Sequence, residues 1–252
     1  MRNLFWLTDE QMARLRPFFP KSHGKPRVDD RRVLSGIIFI NRNGLRWSDA
    51  PPEYGPPKTL YNRWKRWSDM GVFARMMEGL ASEAADRKTV MIDATYLKAH
   101  RTASSLRFEK GGRGRLIGRT KGGMNTKLHA VTDANGRPIK LFMTAGQVSD
   151  YTGAAALLSS LPEAEWLLAD RGYDADWYRE ALQDKGIKPC IPGRKSRGKP
   201  VKYDKRRYKR RNRIEIMFGK LKDWRRVATR YDRCPKVFLS AVALAATVIF
   251  WL

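Results

Sequence analysis

Acidic residues are scarce: 25 Asp and Glu stand against 51 Lys and Arg, a formal charge of +26 over 252 residues. Such self-repulsion opposes compaction and points to a polyanionic partner, most simply nucleic acid. An anionic membrane fits less well, because polybasic anchors usually come with lipidation or an amphipathic helix. Cysteine is nearly absent. Cys190 and Cys234 form no CxxC, and His23, His100 and His129 are distant from both in sequence. That excludes a disulfide framework, disfavours a zinc centre, and leads us to expect a reducing, cytoplasmic setting. Long apolar runs are missing too. The opening MRNLFWLTDEQ lacks the apolar core of a secretion signal. The last run, VFLSAVALAATVIFWL, has 16 residues, short of the about 20 that a membrane span needs. It is expected to be a buried core helix, with no membrane association.

What is present divides into two patterns. Residues 1–86 are expected to form a small all-helical domain. Thr8 and Gln11 make a capping-box pattern, and Val33, Leu34, Ile37 and Ile38 share one side of a helix that ends at Gly44. Leu60, Trp64 and Trp67 make an apolar stripe, with Arg63, Lys65 and Arg66 pointing away from it. Residues 87–252 change period. TVMIDATYL reads as a strand, and TKLHAVTDANGRPIKLFMTAG as a hairpin around Asn135-Gly136. Helices and strands then alternate through AEWLLAD and IKPCIP to two final helices. The expected class is α/β, a mixed sheet flanked by helices. His129 is expected to be buried and hydrogen-bonded, Asp133 to serve the turn, and Trp47 to anchor packing.

Three carboxylates stand out. In YKRRNRIEIMFGKLK, residues 208–222, Ile214, Met217, Phe218 and Leu221 form the inward stripe of a helix. Tyr208, Arg211, Glu215 and Lys222 lie along another side. Taken alone, Glu215 reads most plainly as a surface partner of Arg211 four residues earlier. Asp93 and Asp170 each close an apolar run, TVMID and EWLLAD, and each alone could equally be a turn or cap residue. Three carboxylates meeting at one sheet edge would repel unless cations filled the gap. Hard divalent ions take oxygen ligands, and a pair of them about 3.5–4 Å apart suits phosphodiester displacement.

Together, the spacing Tyr208-x2-Arg211-x3-Glu215-x6-Lys222, MIDATYLKAH and LLADRGYDADWY resemble the signature and the two Asp blocks of bacterial DDE transposases. The stretch DDRRVLSGIIFINRNGLRWSDAPPEYGPPKTLYNRWKRW is similar to the matching part of the IS5 group. The resemblance covers nearly the whole chain. It implies an RNase H-like fold in which Asp93, Asp170 and Glu215 hold two Mg²⁺ ions, replaceable by Mn²⁺. It further implies that Tyr208, Arg211 and Lys222 contact DNA phosphates, and that the substrates are double-stranded transposon ends and target DNA, engaged by a homodimer. Some wider relatives insert a β-rich domain between the second Asp and the Glu. Here 45 positions separate Asp170 from Glu215, too few for one.

Further DNA contacts are expected from the basic loop at 107–127, with Arg113, Arg115, Arg119 and Lys121, and from the run at 194–213. Arg63, Lys65 and Arg66 are candidates for reading the terminal repeats. Two other functions remain open on sequence: a metal-dependent nuclease that cuts without joining, and a non-catalytic basic DNA-binding protein.

Overall fold

The computed structural model describes residues 3–21, 29–104 and 112–252, with the side chains of residues 112 and 113 outside that description. Helix α1 (Asp9–Leu15) starts at a closed capping box. The Thr8 hydroxyl accepts the Gln11 amide, and the Gln11 side chain accepts the Thr8 amide. Helix α2 (Asp30–Asn43) stops at Gly44, whose left-handed backbone (φ 68°) suits the absence of a side chain. Helices α3 (Pro57–Asp69) and α4 (Val72–Ala84) follow, and bury Trp64, Trp67 and Phe73 against one another.

The second part begins with β1 (Thr89–Ala99) and the short α5 (Arg101–Ser104). Strands β2 (Gly118–Thr120), β3 (Gly123–Thr132) and β4 (Pro138–Ala145) come next, then α6 (Asp150–Leu158), β5 (Trp166–Leu168), α7 (Asp176–Asp184) and β6 (Lys188–Cys190). The chain ends with α8 (Lys205–Tyr208), α9 (Asn212–Lys222), α10 (Arg225–Ala228), β7 (Thr229–Arg230) and α11 (Pro235–Phe250).

The sheet is mixed. β3 runs antiparallel to β1, and β4 and β2 pair with β3. On the other side of β1, β5 pairs in parallel as far as Met91, and β6 extends the sheet from β5. β7 pairs in parallel with β1 only at Lys98 and Ala99. Among the described residues, β1 therefore has no strand partner on that side over 92–97.

The expected hairpin forms through a five-residue loop between Thr132 and Pro138. Buried Asp133 holds the loop by accepting the amides of Asn135 (2.9 Å) and Arg137 (2.8 Å), which fits its expected turn role. Gly136 takes a positive φ of 82°, and a Cβ there would lie 2.8 Å from the Arg213 carbonyl oxygen.

The terminal apolar run forms α11, whose Val237, Phe238, Val242 and Leu244 are buried. It packs chiefly against α4, with α3 and α2, and also against β4 and α9, so it joins the N-terminal helices to the sheet. No helix among the described residues is long and apolar enough to cross a membrane.

Candidate active site

Asp93 lies within β1, not at its end as the sequence pattern implied, because the strand runs on to Ala99. It stands just past the point where β5 stops pairing. The register sets Val90 beside Leu167 and Met91 beside Leu168. Carried two residues further, it brings Asp170 level with Asp93 on the neighbouring chain segment, and adjacent strands are about 4.8 Å apart. Asp170 also caps the short 3₁₀ turn Arg171–Tyr173, where its Oδ1 accepts the Gly172 amide at 2.8 Å. The cap reading and the site reading of this residue are therefore compatible.

The path from Lys205 to Lys222 is helical throughout, tightened to 3₁₀ geometry at Lys209–Arg211. Ile214, Met217, Phe218 and Leu221 are buried, as their spacing predicted. Arg211 is the junction of the site. Its Nη1 donates to Asp93 Oδ2 at 2.7 Å, its Nη2 donates to Glu215, and its guanidinium lies 5.8 Å from the Tyr208 ring centroid. Farther along α9, Lys222 Nζ donates to Thr95 Oγ1 at 2.7 Å. Asp93 and Thr95 are two apart in a strand, so both face α9.

The electrostatics are those of a crowded acidic site. Burial pushes the Asp93 carboxyl up to about 6, and the Asp170 charge adds to this; the Ala94 amide and Arg211 oppose it. The phenol of fully buried Tyr173 is raised well above its ordinary value by burial and by Asp150, Asp93 and Asp170. Burial lowers Lys222.

An all-oxygen donor set of this kind suits a hard divalent cation. Yet among the described residues no three His, Cys, Asp or Glu side chains stand close enough together to hold one ion. Asp93 and Asp170 are neighbours, whereas Glu215 is linked to Asp93 through Arg211. The guanidinium supplies the positive charge that Asp93 and Glu215 share.

Two family models match in succession: residues 84–250 match "Transposase DDE domain", and residues 7–77 match "Putative transposase of IS4/5 family". The chain belongs to the DDE transposases. Over 131 residues this transposase is 40% identical to a protein of Brucella ovis described as "Putative transposase for insertion sequence element IS6501"; the match spans 51% of this chain and 99% of that one. Over 156 residues it is 31% identical to a Burkholderia cepacia protein described as "Putative transposase for insertion sequence element IS402", spanning 54% and 72%. In fold it is similar to the piggyBac transposase in a cryo-EM synaptic complex with hairpin DNA. That likeness has a TM-score of 0.53 at 8% identity, over 97% of this chain and 72% of the other. The mixed sheet flanked by helices is the expected RNase H-like arrangement.

The other candidate residues of the transposase are dispersed. Arg63 pairs with Asp30 at 3.3 Å and lies over Trp67, and Lys65 pairs with Asp69 at 2.6 Å, so both are engaged within the protein. Arg66 is exposed on α3. Arg115 donates to the Ala103 carbonyl at 3.2 Å. Arg119 and Lys121 are exposed at and beside β2, and the Arg113 side chain lies outside the described residues. His129 is buried as expected, with Nε2 2.9 Å from Thr144 Oγ1. Trp47 packs between Tyr61 and Trp64 beneath Arg226, an anchor between α3 and α10. Sequence reasoning passed over Thr95 and Tyr173. The even spacing of Asp93 and Thr95 was the available signal for the first; burial beside three carboxylates left none for the second.

Proposed function

We propose that this transposase binds double-stranded DNA at the ends of its insertion sequence and at the target, cuts the ends, and joins the freed 3′ hydroxyl to the target. The observation that carries the reading is the level placement of Asp93 and Asp170 on adjacent parallel segments, with Glu215 on α9 linked to Asp93 through Arg211. These carboxylates are assigned to hold Mg²⁺, with Mn²⁺ as a substitute. Bound there, the ions supply an activated water and charge stabilisation for an in-line displacement.

The chain's own residues do the rest. Arg211 moves its positive charge from the carboxylates to a DNA phosphate as the site loads. Tyr208 and Lys222 flank it on the same helical path and fix the backbone next to the acids. Thr95 holds Lys222 in place through the bond to Nζ. No covalent protein–DNA intermediate is invoked, so no side chain is assigned as a nucleophile. Residues 1–86 are assigned to end recognition and 87–252 to catalysis. Joining two ends implies two copies of the chain acting together, in the bacterial cytoplasm on the nucleoid.

The test uses a supercoiled plasmid carrying the element's ends. Asp170→Asn and Glu215→Gln are expected to lose metal-dependent cleavage by at least about 10²–10³-fold, typical for removal of a group that stabilises transition-state charge, while a mobility-shift assay shows DNA binding retained. Full cleavage by either variant refutes the assignment. Cleavage by the parent protein without joined products favours the nuclease reading.

A further inference from the structure

On the face of the sheet opposite α9, a strip of rings and cations starts at Tyr96, three residues along β1 from Asp93. Side chains alternate along β1, so Tyr96 points away from the α9 side that Asp93 and Thr95 face. Tyr96 is 50% exposed, and Lys127 Nζ lies 5.1 Å from its ring centroid. That ammonium is held by the Val148 carbonyl at 2.6 Å and the Asp150 carboxylate at 3.0 Å. Next on α6, the Tyr151 hydroxyl donates to the Asp174 carbonyl at 3.3 Å, which ties the strip to the loop that carries Asp170. The Arg194 guanidinium lies 4.7 Å from the Tyr151 ring centroid. Trp177, 41% exposed, stands 6.4 Å from the same ring. Beyond it opens a cavity of about 530 Å³ whose lining includes Arg194, Ser196, Arg197 and Lys199. The acids in that cavity are already committed: Asp174 pairs with Arg179 and Arg197, and Asp176 with Arg197.

Lys127 is buried and committed to Asp150, so it only positions the Tyr96 ring. Rings beside the exposed Arg194 and Lys199 match the chemistry of an unpaired nucleic-acid strand, whose bases stack on aromatic faces while its phosphates meet positive charge. An intact duplex offers such rings little, because its bases are stacked on each other and must first be unstacked. Tyr96 and Trp177 are exposed and Tyr151 is half-buried, and the three rings lead from β1 through α6 and α7 toward a basic cavity. We propose that the Tyr96–Tyr151–Trp177 strip binds single-stranded DNA and takes the unpaired segment beside the cut. The proposal rests on the DNA-cutting reading above.

The test is fluorescence anisotropy with a labelled oligothymidylate and a mixed-sequence duplex of equal length, at fixed salt with chelator present. Tyr151→Ala and Trp177→Ala are each expected to weaken oligothymidylate binding by about 5-fold to about 150-fold, the equivalent of about 1–3 kcal/mol per stacked base, with duplex binding changed far less. Trp177→Phe keeps a ring and should retain most of the affinity. Arg194→Gln, at an exposed loop position, should weaken single-strand binding without removing a packed ring. Trp6→Ala, at an exposed tryptophan on the N-terminal part, should leave it unchanged. Unchanged oligothymidylate binding in the folded Tyr151 and Trp177 variants overturns the strip and leaves the cutting reading standing. An equal loss for duplex and single strand overturns it as well. A parent protein that binds neither DNA removes both readings.

Discussion

Replacing Asp93 by Asn should make the protein more stable and inactive. Asp93 is 16% exposed, and its carboxyl is pushed from 3.8 up to about 6. The folded state therefore prefers the protonated form, and the stability this lends is fully present below the unfolded value near 3.8. It is lost as pH rises through about 6. Each pKa unit is worth about 1.4 kcal/mol, so ionised Asp93 costs the fold about 3 kcal/mol above neutral pH. Asn has the same shape and no charge, and Arg211 keeps Glu215 as a partner. Asp93→Asn should thus gain about 2–3 kcal/mol near pH 8, or roughly 5–10 °C in melting temperature for a chain of this size, and gain nothing near pH 4. Thermal melts with chelator present measure this. The parent profile alone would mislead. Burial lowers His129 to about 4, so its contribution is present above about 6.5 and lost as pH falls through 4, opposite in direction to Asp93. The difference between parent and variant isolates the carboxylate. A variant less stable than the parent near pH 8, or a gain that does not change with pH, refutes the reasoning.

Two further outcomes are expected. Lys222→Met removes the ammonium beside Thr95. It should weaken binding of all duplex sequences alike and reduce the slope of log affinity against log salt by about one, read from salt titrations. Gly153→Ala places a Cβ 2.1 Å from His129 Nδ1, and the imidazole is held in place by its bond to Thr144. A loss of about 1–3 kcal/mol in denaturant melts is expected for such overpacking, with the metal-dependent chemistry otherwise intact.

Local chemistry was readable from the residues themselves. The Thr8–Gln11 box, the Gly44 stop, the Asp133-anchored hairpin and the buried stripe of α9 each depend on near neighbours in sequence. The acidic residues were readable as candidates for the same reason, since each closes or punctuates an apolar run. What they do to each other was not. The levelling of Asp93 with Asp170 depends on the parallel register of β1 and β5, more than 70 residues apart. The bridge from Arg211 to Asp93 joins residues 118 positions apart. Helix geometry alone showed Arg211 only as a neighbour of Glu215. The short strands β2 and β7 carry too few residues for a period, and exist because β3 and β1 offer them edges. The pairing of Arg63 and Lys65 with acids came from packing of α3 that their outward spacing did not reveal.

Helix α11 makes a common wall for the N-terminal helices and the sheet. Swinging one against the other would open an apolar seam lined by residues such as Phe238, Val242 and Leu244, at about 25 cal/mol for every Å² laid bare. A hinge there would be costly, so the N-terminal helices and the sheet travel as one body. Whatever rearrangement the work on DNA demands must fall to the loops, to the helical path through Arg211, or to the nucleic acid itself.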